Sequence, residues 1–161
     1  MYQAAVPVVR QALDQALVLL DHATPDQLAA RLHPNMFDCA TQFQLVAGFA
    51  LRATFPLVGR DVPELSSGKD APALRDALLR AQAEVSALTP ADFAEAGKRR
   101  IQHRAGFADL DQSGTAYLQH FALPNLWFHL SMAFAILRAE GALVGKAEFD
   151  GLHRYPEGFS W

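Results

Sequence analysis

Cysteine is almost absent: Cys39 is the only one in 161 residues. A single thiol excludes an intramolecular disulfide and a thiolate metal cluster, and a chain that leaves it unpaired suits a reducing compartment. Free cysteine is usually buried, so Cys39 reads as a small buried helix residue and not as a nucleophile. Charge is also scarce, at 19% of residues with a formal net charge of −3. A nucleic-acid partner normally needs a basic footprint. The only basic run, Lys98-Arg99-Arg100 with Arg104 beyond it, reads as a solvated face. Long apolar runs are missing too. The closest, Tyr117 to Leu137, carries Gln119, His120, Asn125, His129 and a proline, so no membrane span is expected. The opening MYQAAVPVVRQALDQ has Arg10 and Asp14 within its apolar stretch and does not read as a signal peptide. The expectation is a soluble cytoplasmic protein without nucleic-acid or membrane partners. No Gly-rich phosphate loop, G-x-S-x-G elbow or H-E-x-x-H pattern occurs. Asp150 and Glu157 fall in the tail, which gives a paired-carboxylate mechanism little support.

What is present is apolar residue at helical spacing. With 51% hydrophobic residues, the chain fits one domain over residues 1–161, large enough to bury roughly 68–70% of its unfolded surface. Val9, Leu13, Ala16, Leu17 and Leu20 make one stripe on a first helix expected from about Val6 to Asp21, with Pro7 in its first turn. Thr24-Pro25-Asp26-Gln27 is a capping box that starts a short helix. A second long helix is expected from about Asn35, after Pro34, to Phe55, lined by Met36, Ala40, Phe43, Ala47, Ala50 and Thr54. Asp70 caps a third, striped by Leu74, Leu78, Ala81, Val85 and Leu88. Thr89-Pro90-Ala91-Asp92 repeats the cap-plus-proline signature. Alternation in Arg100–His103 and Phe107–Leu110 around Ala105-Gly106 indicates a small hairpin. The fourth helix starts at Ser113 or Thr115, runs to about Ala139 and stops at Gly141. From about residue 142 an irregular tail is expected, with a turn at Tyr155-Pro156-Glu157-Gly158. The fold class is therefore all-α, an antiparallel four-helix bundle with a small β-hairpin before the last helix.

The fourth helix is apolar almost all round, so it is either the most buried or also faces a second subunit. Its Phe121, Trp127, Phe128 and Phe134 lead to the expectation of a homodimer. Pro124 removes a donor and crowds the His120 carbonyl, which should bend the helix without ending it. Asn125 or a second-helix glutamine is expected to serve the freed carbonyls. His120 and His129 are nine residues apart, on opposite faces and about 13.5 Å apart along the axis, so they cannot share one ion. Asn125 and His129 are four apart and share a face with Met132 and Ile136. That polar pair in an apolar stripe is read as a core hydrogen-bonded histidine, a pocket group for a small ligand, or a metal ligand. A catalytic zinc site usually needs three protein ligands. The remaining histidines, His22, His33, His103 and His153, are expected at the surface.

Three stretches carry a resemblance over nearly the whole chain to about Asp150. They are Ala5-Val6-Pro7-Val8; Arg31-Leu32-His33-Pro34-Asn35-Met36-Phe37 with Gln42 and Gln44; and His120-Phe121-Ala122-Leu123-Pro124-Asn125 through His129, ending Ile136-Leu137-Arg138 and Gly145-Lys146. The chain resembles the DinB/YfiT-like bundle superfamily, and within it the family of domain of unknown function nineteen ninety-three. The resemblance implies a four-helix bundle, often dimeric. Many members hold a divalent metal with one histidine from the second helix and an H-x-x-x-H pair from the fourth, and some are thiol-dependent transferases. On that pattern His129 matches the last histidine, Asn125 stands at the first of the pair, and Gln44 or Gln42 stands at the second-helix ligand. Amide oxygens are poor ligands for zinc or nickel beside imidazole. The closer family also often has an acidic residue where Gly48 stands. No metal or other cofactor is therefore expected. The reading is a small-ligand site formed by Gln44, Asn125 and His129, with a thiol-transferase-type enzyme and a non-catalytic dimerising protein as alternatives.

Overall fold

The structure is a computed structural model that describes residues 1–156 and 159; Glu157 and Gly158 of the expected turn lie outside the described residues. The chain is mostly helical with one two-stranded antiparallel hairpin. Helix α1 spans Tyr2–Asp21, starting about one turn before the expected Val6. Pro7 is therefore interior, where it cannot donate to the Gln3 carbonyl. Both residues are exposed, so water can serve that carbonyl. Buried Ala5 and Val6, and the Tyr2 ring set edge-on to Phe93 at 5.6 Å, hold this first turn down. Helix α2 (Pro25–Ala29) carries the expected Thr24–Gln27 capping box.

Helix α3 spans Cys39–Arg52, four residues later than the expected Asn35 start. Asp38 sets that start, accepting from the Thr41 N–H at 2.8 Å and the Thr41 hydroxyl at 2.6 Å. It ends at Arg52 and not Phe55, and a 3₁₀ turn over Pro56–Val58 closes on Gly59 at φ 72°. Helix α4 (Ala71–Ser86) is capped by Asp70 as expected, and Leu74, Leu78, Ala81, Val85 and Leu88 are all buried. Strands β1 (Arg100–Ala105) and β2 (Ala108–Ser113) pair antiparallel about a two-residue turn, with Gly106 at φ 60°.

Helix α5 (Gly114–Tyr117), a π turn (Leu118–Ala122) and helix α6 (Leu123–Ala139) run on as one helix of 26 residues. Pro124 does not break it. The helix widens one turn earlier, with the Leu123 N–H reaching the Leu118 carbonyl, and this accommodates a residue that cannot donate. By length and composition this helix could cross a membrane. Its Leu118, Ala122, Leu126, Leu130, Ala133 and Leu137 are nevertheless buried within the chain. Helix α6 lies against α3 and α1, α3 also against α4, and α1 against α4 and α3.

The tail corrects the expectation of irregularity. Helix α7 (Lys146–Asp150) docks on α1, where Gln11 Nε2 donates to the Asp150 carbonyl at 3.1 Å. Its Phe149 ring lies 6.3 Å from Trp127 and 5.4 Å from Phe134. Much of the apolar surplus on the last helix is thus covered from inside the chain, leaving Phe128 as its exposed large residue, at 51%.

Candidate functional site

Gln44, Gly48 and Arg52 recur every fourth residue and so share one face of α3. Together with Val62, Pro63, Glu64, Leu65, Ser66 and Ser67 they line a cleft of about 500 Å³. Gln44 holds the far wall: its Nε2 donates to the carbonyls of Ser67 at 2.7 Å and Gly68 at 2.9 Å. Gly48 keeps the floor open, since a Cβ there would meet nothing within 4 Å. Glycine within a helix costs about 1 kcal/mol relative to alanine. Gly48→Ala should therefore raise Tm by about 2–4 °C while narrowing the cleft, a combination that calorimetry and a ligand titration will read.

His129 on α6 packs against α3 and is 7% exposed. Its Nδ1 is 2.8 Å from Gln42 Oε1, and because an amide oxygen only accepts, Nδ1–H is the donor. Its ring stacks on Phe49 at 5.4 Å, and the Arg52 guanidinium sits 5.1 Å over the same Phe49 ring. Burial pushes the imidazole pKa down to about 4, and the Arg52 charge adds to the fall. The ring is therefore neutral at pH 7. It makes no hydrogen bond through Nε2 within the described residues.

The three residues expected to line one pocket share no hydrogen bond among the described residues. His129 pairs with Gln42, the other second-helix glutamine. Gln44 is turned to the loop at Ser67 and Gly68. Asn125 Nδ2 donates to the Phe121 carbonyl at 2.7 Å, serving its own helix beside Pro124. Asn125 therefore serves a backbone carbonyl of its own helix, that of Phe121 and not the His120 carbonyl beside which Pro124 sits. No group of three His, Cys, Asp or Glu side chains able to hold a metal occurs among the described residues. The implied three-histidine centre does not fit this donor set: one imidazole has its Nδ1 bonded to an amide, and the second amide is bonded to backbone. Burial pushes the Cys39 thiol up to about 12, with the Asp38 charge adding to the rise, so it is no nucleophile.

His103 was expected at the surface, and the structure moves it inward. Its ring lies 4.3 Å from Phe121 and 4.9 Å from Tyr117, and Nε2 meets Gln112 Oε1 at 2.8 Å. Its Nδ1 is sealed without a partner. Strand alternation was the available signal, since buried Ile101 puts His103 on the same inward face. With Tyr117, Phe121, Ile101, Val62 and Arg52, His103 lines a second cleft of about 320 Å³.

Comparison with known proteins agrees with this architecture. The crystal structure of a DinB family member protein from Shewanella denitrificans superimposes with a TM-score of 0.85 and 24% identity, covering 96% of this chain and 94% of that one. At that identity the likeness shows the fold. No curated protein matches the chain. The sequence pattern of Domain of unknown function (DUF1993) matches residues 1–150, and the chain therefore belongs to the DUF1993 family, with a DinB-like fold.

Proposed function

We propose that this protein binds a small organic molecule without a transition metal, using an antiparallel four-helix bundle as scaffold and the cleft beside Gln44 as the site. The observation that carries this reading is the open floor at Gly48 in a cleft of mixed polarity whose volume lies within the ~300–1,000 Å³ typical of ligand sites. In this reading Gln44 fixes the cleft wall. His129 with Gln42 forms a neutral buried pair between α3 and α6, and Asn125 holds the π turn that shapes the helix. Transition-metal chemistry is disfavoured because imidazole is matched here with amides. The test combines metal analysis of purified protein with a fragment screen followed by backbone NMR. The expected result is no stoichiometric zinc or nickel, and hits that shift Gln44, Gly48 and Ser67. Stoichiometric metal that disappears in His129→Leu would restore the enzyme reading.

Self-association is a second reading, favoured by the half-exposed Phe128 on the outer face of α6. Light scattering at high micromolar concentration should show a dimer that Phe128→Ser weakens. A strict monomer removes this reading without touching the first.

A further inference from the structure

We propose that a second site, adjoining the Gln44 cleft at Arg52, takes a small organic carboxylate with an apolar body, its head group held by the Arg52 guanidinium and its body seated in the hairpin-side cleft. This goes beyond reading the Gln44 cleft as a ligand site and does not depend on it. Arg52 and Val62 line both clefts, so the two adjoin at that side chain. The Arg52 backbone is fixed, because the buried Tyr117 hydroxyl donates to its carbonyl at 3.0 Å. Burial pushes that phenol up to about 12, partly opposed by the Arg52 charge, so it stays a donor. The Phe49 ring, 5.1 Å from the guanidinium carbon, attracts the cation.

Several other arginines are engaged, and Arg10, Arg80 and Arg154, which have no ion pair among the described residues, line neither cleft. Arg60 pairs with Asp92, Arg75 with Asp21 and Arg100 with Asp111. Arg52 has no carboxylate within ion-pair distance among the described residues, and its guanidinium donates no hydrogen bond there. A planar fork of five donors held over an aromatic ring and facing an open cleft matches a carboxylate.

The surroundings choose the side and the body. Glu64 lines the Gln44 cleft and repels an anion from it. The hairpin-side cleft is lined by no acid. Its walls are Pro56, Val62, Ile101, Tyr117 and Phe121, and Arg104 supplies a second cation, tied to Asp109 only at 3.8 Å. An apolar or aromatic group fits those walls, which a bare phosphate would leave unfilled.

Titrations followed by amide NMR test the idea, with phenylacetate as probe, phenylacetamide as its neutral match and inorganic phosphate as an anion without a body. Phenylacetate should give saturable shifts at Arg52, Ile101, His103, Tyr117 and Phe121. The amide and phosphate should bind about tenfold more weakly or worse. Arg52→Gln should weaken phenylacetate about tenfold, and Arg52→Lys, which keeps charge but loses the fork, by less. Thermal melts of both variants verify that they fold. Equal binding of phenylacetate and phenylacetamide, or an unaffected Arg52→Gln, overturns the carboxylate assignment while fragment hits at Gln44 keep the cleft reading alive. Phosphate binding as tightly as phenylacetate overturns the apolar body. If no probe binds in the second cleft, the proposal fails outright, and the fragment screen decides separately whether the Gln44 cleft binds anything.

Discussion

Gly114→Ala should destabilise the protein by about 3 kcal/mol, the upper end for overpacking a tight site. A Cβ at residue 114 would lie 1.8 Å from the Ala96 carbonyl oxygen and 3.1 Å from Leu57 Cδ2. Backbone cannot yield as a flexible side chain does. The Gly114 N–H also donates to the Arg99 carbonyl at 2.8 Å, so the join between hairpin and α5 would be pushed apart at that bond. For a chain of this size the cost corresponds to a fall in Tm of about 6–12 °C. Because the hairpin forms one wall of the second cleft, phenylacetate affinity should fall with it. A melt within 2 °C of wild type would show that Ala96 is not where the close approach places it.

His129→Leu should cost about 2–3 kcal/mol, since it strips from Gln42 Oε1 its partner among the described residues, in a residue 1% exposed, and removes the stack on Phe49. The double variant with Gln42→Leu should recover part of that loss, because replacing both polar partners leaves no orphan. The same histidine gives the wild type an acid-sensitive stability. Its folded pKa is depressed to about 4, mainly by burial, from the ordinary 6.5. Above pH 6.5 both states are neutral and the contribution is flat. As pH falls from 6.5 toward 4 the unfolded chain gains a proton that the folded one refuses, so stability drops, by about 3 kcal/mol over that window. Denaturant melts between pH 7.5 and 4 should show this slope in wild type and a shallower one in His129→Leu. Parallel slopes would mean that His129 titrates normally in the fold.

Periodicity made the helical framework legible. The stripes of α1 and α4, and the caps at Thr24 and Asp70, are local signals that tertiary structure had no reason to override. Boundaries were harder where two signals competed. Pro34 suggested a start that Asp38 in fact supplies, and Pro7 suggested a late start that the burial of Ala5 and Val6 overrides. Pro124 announced a perturbation in the last helix, but its form as a π turn depends on how the widened turn packs, which spacing alone does not encode. Helix α7 was missed because five residues give too short a period to read, although Phe149 is what covers Trp127 and Phe134.

The site was legible in part. The stripe position of His129 marked it as a buried polar residue, and its partner proved to be Gln42, one of the two glutamines considered. Asn125 looked equivalent by spacing, yet the backbone acceptor beside a proline claimed it. Arg52 went unnoticed, because an arginine in the last helical turn is ordinary. Only the fold shows that no acid among the described residues answers it and that two clefts meet there.

The central claim is that His129 is a neutral imidazole bonded through Nδ1–H to an amide, and not a metal ligand. Nitrogen-15 NMR of labelled histidine side chains, recorded from pH 7.5 to 4 with and without an equivalent of zinc, tests it most directly. The Nδ1–H tautomer is expected throughout that range, with protonation setting in only near pH 4 and no response of His129 to zinc. A titration midpoint near 6.5, or a zinc-dependent shift of the His129 nitrogens at stoichiometric metal, would contradict it.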